Sequence, residues 1–438
     1  MAQHALAVWM NGLLVGHWRW GRQGADHVFE YTPEWLAEPA CRPLSLSLPI
    51  TAERVVRGER VLNYFDNLLP DSQRIRERIR KRFRLTTTST AALLTEIGRD
   101  CVGAVQLLPP GMSPQAVHAI QARPLTELQI ESLLGSVTSD AVLGQDGEAR
   151  DEFRISIAGA QEKSALLCMD GQWYEPTGST PTTHILKLPL GLVGNRQADL
   201  STSVENEWLC ARLMKAWGFP VAETGMATFG AKKVLVVERF DRRWSEDRRW
   251  IMRLPQEDFC QAAGLASHEK YESDGGPGMR ACLSLLSGSE HAMQDQIRFL
   301  CVQFAFWLLA ATDGHAKNYS IFHLPGGRYR MTPLYDILSA WPIIGAAANQ
   351  VPWQKARLAM AIRGANTHYL LREMIPRRWQ ALADSCHLPQ AYLAMQDMVA
   401  SAEAVLKTVE AELPADFPLS VWLPVRDGVR AQCQRFLR

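Results

Sequence analysis

The chain has 438 residues, with 47 Lys and Arg against 46 Asp and Glu, and its formal net charge of +1 excludes binding of nucleic acid by bulk charge alone. Nine cysteines with no Cys-x-x-Cys and no His-paired metal spacing read as reduced thiols of a cytoplasmic protein. The start, Met1-Ala2-Gln3-His4-Ala5-Leu6, has neither a charged leader nor a long apolar stretch, so export is not expected, and the length suggests two or three domains.

Residues 6–10 and 13–20 flank Asn11-Gly12, a strong two-residue hairpin signal that predicts a small β-rich module at the start. Leu44, Leu46 and Leu48 alternate with Ser45 and Ser47 as a half-buried strand, and residues 63–70 read as helical. Residues 74–84 concentrate positive charge on one amphipathic helix, which serves either as a solvated face or as a contact for a protein or nucleic acid. A further helix and a polar linking stretch are expected within residues 121–148.

The next segment carries chemistry. Residues 154–167 read as strand, turn and strand, and the turn is built from small residues that let backbone N–H groups approach phosphate oxygens closely. Lys187 stands in an otherwise apolar strand, where an ammonium group is costly to bury unless it meets anions such as phosphates and a carboxylate. The following helix supplies that carboxylate: Thr202 and Glu205 can form a capping box, which leaves Glu207 for Lys187. The apolar strand over residues 233–237 then runs into Glu238, Arg239, Phe240 and Asp241, and its end reads as a hinge for adenine.

Residues 299–311 are apolar for over three helical turns, long enough for a buried core helix and too short to span a membrane. The helix ends on Thr312-Asp313-Gly314-His315-Ala316-Lys317-Asn318, and two strands around Pro325-Gly326-Gly327 lead to Tyr335-Asp336. Phosphoryl transfer needs an Asp to orient the attacking hydroxyl and take its proton, an Asn beyond it on the same loop for a metal ion, and a second Asp for the metals that bridge the phosphates. Asp313, Asn318 and Asp336 stand in that order. The loop Tyr271-Glu272-Ser273-Asp274-Gly275-Gly276-Pro277-Gly278 precedes a helix over residues 279–286.

Residues 155–163, 182–189, 237–243, 253–261, 271–278 and 312–340 resemble the HipA family, the serine/threonine kinase toxins of HipBA toxin–antitoxin systems. The likeness extends to Trp9-Met10-Asn11-Gly12, Tyr31-Thr32-Pro33-Glu34-Trp35-Leu36 and Asn63-Tyr64-Phe65-Asp66-Asn67-Leu68-Leu69-Pro70-Asp71-Ser72, and so covers nearly the whole chain. The resemblance implies a catalytic role for Asp313, magnesium ligation by Asn318 and Asp336, and contact of Lys187 with ATP phosphates. It also implies a phosphate loop of Ala158, Gly159, Ala160, Gln161, Glu162 and Lys163, adenine at the backbone of Glu238, Arg239 and Phe240, and autophosphorylation at Ser156 that ejects this loop. His315 stands where common protein kinases carry a Lys, and Lys317 is then the candidate for neutralising charge.

The partners implied are a HipB-like helix-turn-helix antitoxin, operator DNA reached through the antitoxin complex at the nucleoid, and a protein substrate such as glutamyl-tRNA synthetase. Among the basic residues expected near operator DNA, Arg372, Arg377 and Arg378 are present and Glu373 intrudes. The fold expected is α+β, two-lobed and protein-kinase-like: an N-terminal subdomain over 1–148, a nucleotide-binding lobe over 149–245 and a helical lobe over 246–438. A nucleotide-binding corepressor with incidental catalysis and a small-molecule kinase remain as alternatives.

Overall fold

The computed structural model describes residues 4–21, 26–138, 161, 163–194 and 196–438. Asn11 and Gly12, with φ of 47° and 86°, make the expected tight turn between the strands His4–Met10 and Leu13–Trp20. These two pair antiparallel inside a five-stranded sheet ordered Val55–Arg57, Val28–Tyr31, Leu13–Trp20, His4–Met10 and Val105–Leu108. The helices Glu59–Asp66, Gln73–Arg82 and Thr90–Ile97 share its core, where Trp18 stacks on Phe65 with ring centroids 4.2 Å apart.

The expected strand through Leu44, Leu46 and Leu48 is an isolated bridge between Ser45 and Leu48 instead. Its alternation is misleading because Ser45 is buried with its leucine neighbours and donates from its hydroxyl to the Gln261 carbonyl at 3.2 Å. Leu46 N–H donates to the Glu257 carboxylate at 2.8 Å. Hydrogen bonds to a neighbouring unit have replaced a ladder.

A second, six-stranded antiparallel sheet runs in the order Thr224–Phe229, Lys232–Glu238, His184–Lys187, Lys163–Met169, Gln172–Pro176 and Ala122–Pro124. Its last strand and the helix Glu127–Thr138 precede residue 148, so the sheet reaches back into the stretch assigned to the N-terminal subdomain. Side chains alternate across a sheet. One face buries Leu166, Leu186 and Val234 against Ile130 and Leu134 of that helix. The opposite face carries Leu235 and Val237, which share a core with Val204 and Leu209 of the helix Ser203–Ala216. The capping box anticipated there is absent: Thr202 makes no side-chain cap bond, and Glu205 pairs with Lys233 at 2.5 Å.

The helical lobe is built around Ala292–Leu309, buried on all sides from Phe299 onward. Met279–Leu286, Pro376–Ser385, Pro389–Glu412 and Leu419–Phe436 complete its core with Trp307, Trp379 and Trp422. A three-stranded sheet, Gln256–Asp258, Ser320–His323 and Tyr329–Met331, lies at its edge and includes the anticipated hairpin. Among the described residues no helix is long and apolar enough to cross a membrane.

Candidate active site

The site forms where the two sheets and the helical core meet. Lys187 ends its strand directly opposite Lys163 on one neighbour and Leu235 on the other, so the two ammonium groups project from the same face of the sheet. Like charges side by side are unfavourable unless anions lie between or above them. Glu207, from the helix on that face, meets Lys187 Nζ at 2.5 Å, and Asp336 Oδ1 meets it at 2.8 Å. This confirms the expected Lys–Glu pair, whose side chains are 8% and 5% exposed.

The electrostatics follow from this packing. Burial lowers the affinity of Lys187 for its proton, but the two carboxylates outweigh it and raise the pKa. Burial pushes Glu207 up to about 7 against the pull of Lys187, aided by the charge of Asp336. Burial also raises Asp336, yet Lys187 and Lys163 prevail and hold it well below the usual carboxylate range. Lys163 is only partly compensated: burial and then the Lys187 charge bring it down to about 8 against the weaker pull of Asp336, Asp71 and Glu207.

The loop that carries Asp313 leaves the core helix through Ala310, whose φ of 49° caps the helix in the left-handed region. Gly314 must follow, because a Cβ there would come within 2.3 Å of the Phe306 ring. The loop closes into a single helical turn, Ala316–Asn318, and just before it the His315 amide donates to the Asp313 carbonyl at 2.8 Å. Asn318 Nδ2 lies 3.4 Å from Asp336 Oδ2, which brings together the two residues expected to hold metal. Asp336 itself sits at φ of 60°. Asp313 is exposed at the cleft mouth, where one carboxylate oxygen accepts the Tyr271 hydroxyl.

Lys187, Lys163, Asp313, Asn318 and Asp336 therefore meet around one cleft, which Ile185, Val237 and Phe240 line with apolar surface. Glu238 also lines it, as does Gln161, whose side chain donates to the Leu188 carbonyl at 2.6 Å. Arg239, whose backbone was expected to serve adenine, lines the cleft as well. Its amide is taken by the Thr183 carbonyl at 2.8 Å, and its guanidinium is buried against Asp241 and Asp100. Lys317 reaches the same cleft, where its Nζ is held by Asn67 Oδ1 at 2.7 Å and by Asp71 and Asp258 at 3.4 Å, so its charge is already balanced. Burial keeps the imidazole of His315 below its ordinary value, and its Nδ1 has no hydrogen-bond partner among the described residues. Ser156, Ala158, Gly159, Ala160 and Glu162 lie outside the described residues.

Sequence reasoning overlooked the contribution of the N-terminal unit. Asn67, Asp71 and Val102 form part of the cleft wall. The only signal was the polar pair Asn67 and Asp71 bracketing an apolar Leu-Leu-Pro, and both side chains meet Lys317 Nζ. Tyr271 was read only as part of a loop.

Residues 155–411 match the HipA-like C-terminal domain, and residues 6–108 match the HipA N-terminal domain. The chain belongs to the HipA family. It is 34% identical over 421 residues to Y4mE, a candidate kinase of Sinorhizobium fredii, covering 94% of this chain and 93% of that protein. It is 27% identical over 349 residues to the serine/threonine-protein kinase toxin HipA of Shewanella oneidensis, covering 76% and 75% of the two. The solved structure of the Shewanella oneidensis HipA, HipB and operator DNA complex contains a chain with the same fold, at a TM-score of 0.79 and 24% identity over 99% of this chain and 97% of that one. This HipA relative thus has the α+β, two-lobed architecture of the family, with a β-rich N-terminal unit packed against both lobes.

Proposed function

We propose that this HipA relative is an ATP- and magnesium-dependent serine/threonine protein kinase acting as a toxin. The observation that carries the reading is the buried Lys187–Glu207 pair joined by the partly exposed Asp336, set at the cleft that Asp313 lines and beside Asn318. Two ammonium groups on one sheet face suit phosphate oxygens. Phe240, Ile185 and Val237 suit a flat apolar base. Asp336 and Asn318 offer oxygen atoms to a hard cation, and two protein ligands fit magnesium, which completes its shell with phosphates and water. The metal, when bound, neutralises charge on the transferring phosphoryl group. Asp313 then has the exposed position needed to accept a proton from an incoming hydroxyl.

The reading extends to regulation and partners as the family implies them. Phosphorylation of Ser156 by the chain itself silences it, a HipB-like antitoxin restrains it and carries it to operator DNA, and the substrate is a translation protein such as glutamyl-tRNA synthetase in the cytoplasm. The test is to incubate the purified chain with labelled ATP and a cell lysate and to identify the labelled species. A labelled protein that disappears with Asp313→Asn supports the reading, and label found only in a small molecule overturns it. Mass spectrometry of the same incubation reads Ser156: phosphate there in active chain, absent in Asp313→Asn, is the expected result.

A further inference from the structure

Resting on the reading of Asp313 as the catalytic aspartate, we propose that Tyr271 is a positioning residue for it. Its phenol holds one carboxylate oxygen of Asp313 and leaves the other to receive the proton of the substrate hydroxyl. The hydroxyl of Tyr271 donates to Asp313 Oδ1, and Tyr271 does not line the nucleotide cleft. Burial and the Asp313 charge together raise the phenol's pKa, so it remains a donor at every working pH.

The surroundings hold the phenol in place. On one side, Lys270 pairs with Asp71 at 2.8 Å, and its carbonyl accepts the Ala316 amide of the catalytic loop at 3.1 Å. On the other, the buried Glu272 carboxylate accepts the Ala361 amide at 2.6 Å and Arg363 Nε at 2.5 Å. The Tyr271 carbonyl accepts the Gly276 amide at 2.9 Å, and a Cβ on Gly276 would come within 2.2 Å of the Glu269 carbonyl oxygen. The ring lies edge-on to buried His315, centroids 4.9 Å apart. A side chain fixed on both flanks is poorly suited to swing aside as a gate and well suited to orient an otherwise exposed carboxylate. Orientation of a reacting group is a large part of catalysis.

The test compares wild type with Tyr271→Phe, which keeps the ring contacts and removes only the donor. Labelled transfer from ATP to the lysate acceptor is followed, and nucleotide affinity is followed with a fluorescent ATP analogue. We expect kcat to fall about tenfold while the KM for ATP and the analogue affinity stay within about twofold. Unchanged kcat overturns the proposal. So does a rate loss that comes with weakened analogue binding, which marks a structural role. If Tyr271→Phe does not fold, Tyr271→Gln and Tyr271→Leu decide: the amide donor should retain more rate than leucine, and equal rates overturn the idea. Near-normal turnover by Asp313→Asn instead removes the catalytic reading itself, an outcome distinguishable because it needs no change at Tyr271.

Discussion

The paired lysines give the site its sharpest chemical signature. Lys163 stands opposite Lys187, and burial with this neighbouring charge brings its pKa down to about 8. Nucleotide phosphates beside it would restore the proton. ATP binding is therefore expected to take up protons near pH 8.5 and almost none near pH 6.5, where Lys163 is already charged. Calorimetry in buffers of different ionisation enthalpy measures this, and Lys163→Met should abolish the uptake. The sign for stability is the reverse of a favourable ion pair: the depressed Lys163 costs stability in full below about 8, and that cost fades as pH rises from about 8 toward the ordinary value of 10.5. The acids should also separate by role. Asp313→Asn is expected to lower turnover by about a thousandfold or more with nucleotide affinity retained, whereas Asp336→Asn should weaken magnesium-dependent nucleotide binding as well. Equilibrium binding of an ATP analogue with and without magnesium separates the two.

At the level of elements, the basic helix Gln73–Arg82 directs part of its charge to nearby carboxylates. Arg76 forms a two-pronged pair with Asp66, at 2.7 and 3.1 Å, and Arg80 Nε meets Glu77 at 2.7 Å. Burial alone would raise Asp66, but Arg76 overrides it and brings the carboxyl down to about 2, so the stabilisation is present above its ordinary value of 3.8 and is lost as pH falls toward 2. Arg76→Ala is expected to cost about 1–3 kcal/mol in urea unfolding at pH 7, with the difference narrowing at acid pH. Arg84→Glu, at an exposed position, should leave stability unchanged.

Elements whose periodicity matched their burial were legible in the sequence. The Asn11-Gly12 hairpin, the core helix ending at Leu309 and the strand of Lys187 all appear as expected. So does the gathering of Lys187, Asp313, Asn318 and Asp336 at one cleft, because each followed from phosphoryl-transfer chemistry. The rest depended on contacts far apart in the chain. Neither the seating of Arg239 beside Asp100 nor the capture of Lys317 by Asn67 leaves a local pattern, since the partners lie 139 and 250 residues away. Lys317 and Arg239 were read for the nucleotide site because they sit within motifs; both line the cleft, and tertiary packing also ties their side chains to the N-terminal unit.

On the scale of the whole molecule, that contact joins the N-terminal unit to the hinge. Asp100 is buried among Arg239, Arg242 and Arg253, which it meets at 3.3, 2.8 and 3.2 Å. Burial opposes its charge, but these guanidinium groups hold its carboxyl far below the usual range. Its contribution is thus present above the ordinary carboxylate value and survives well into acid. Asp100→Asn leaves buried positive charge uncompensated and is expected to cost about 3–5 kcal/mol, read as a fall in melting temperature by calorimetry. Because Asn67, Asp71 and Val102 belong to the same unit and line the cleft, a weaker KM for ATP should accompany the loss. Thermal destabilisation with an unchanged KM would separate the unit's docking from nucleotide binding.

The backbone at Asp336 has a consequence for inheritance. Its φ of 60° is costly for most side chains, and Asp, Asn and Gly are the residues that adopt it readily. A mutation removing this carboxylate therefore usually strains the fold as well, and the cell meets an unstable protein rather than a stable inactive one. Asn and Gly are the exceptions, each reachable from an aspartate codon by a single base change. If the kinase is toxic, lineages that escape it through this position while keeping an intact protein for a partner to bind should carry one of those two residues.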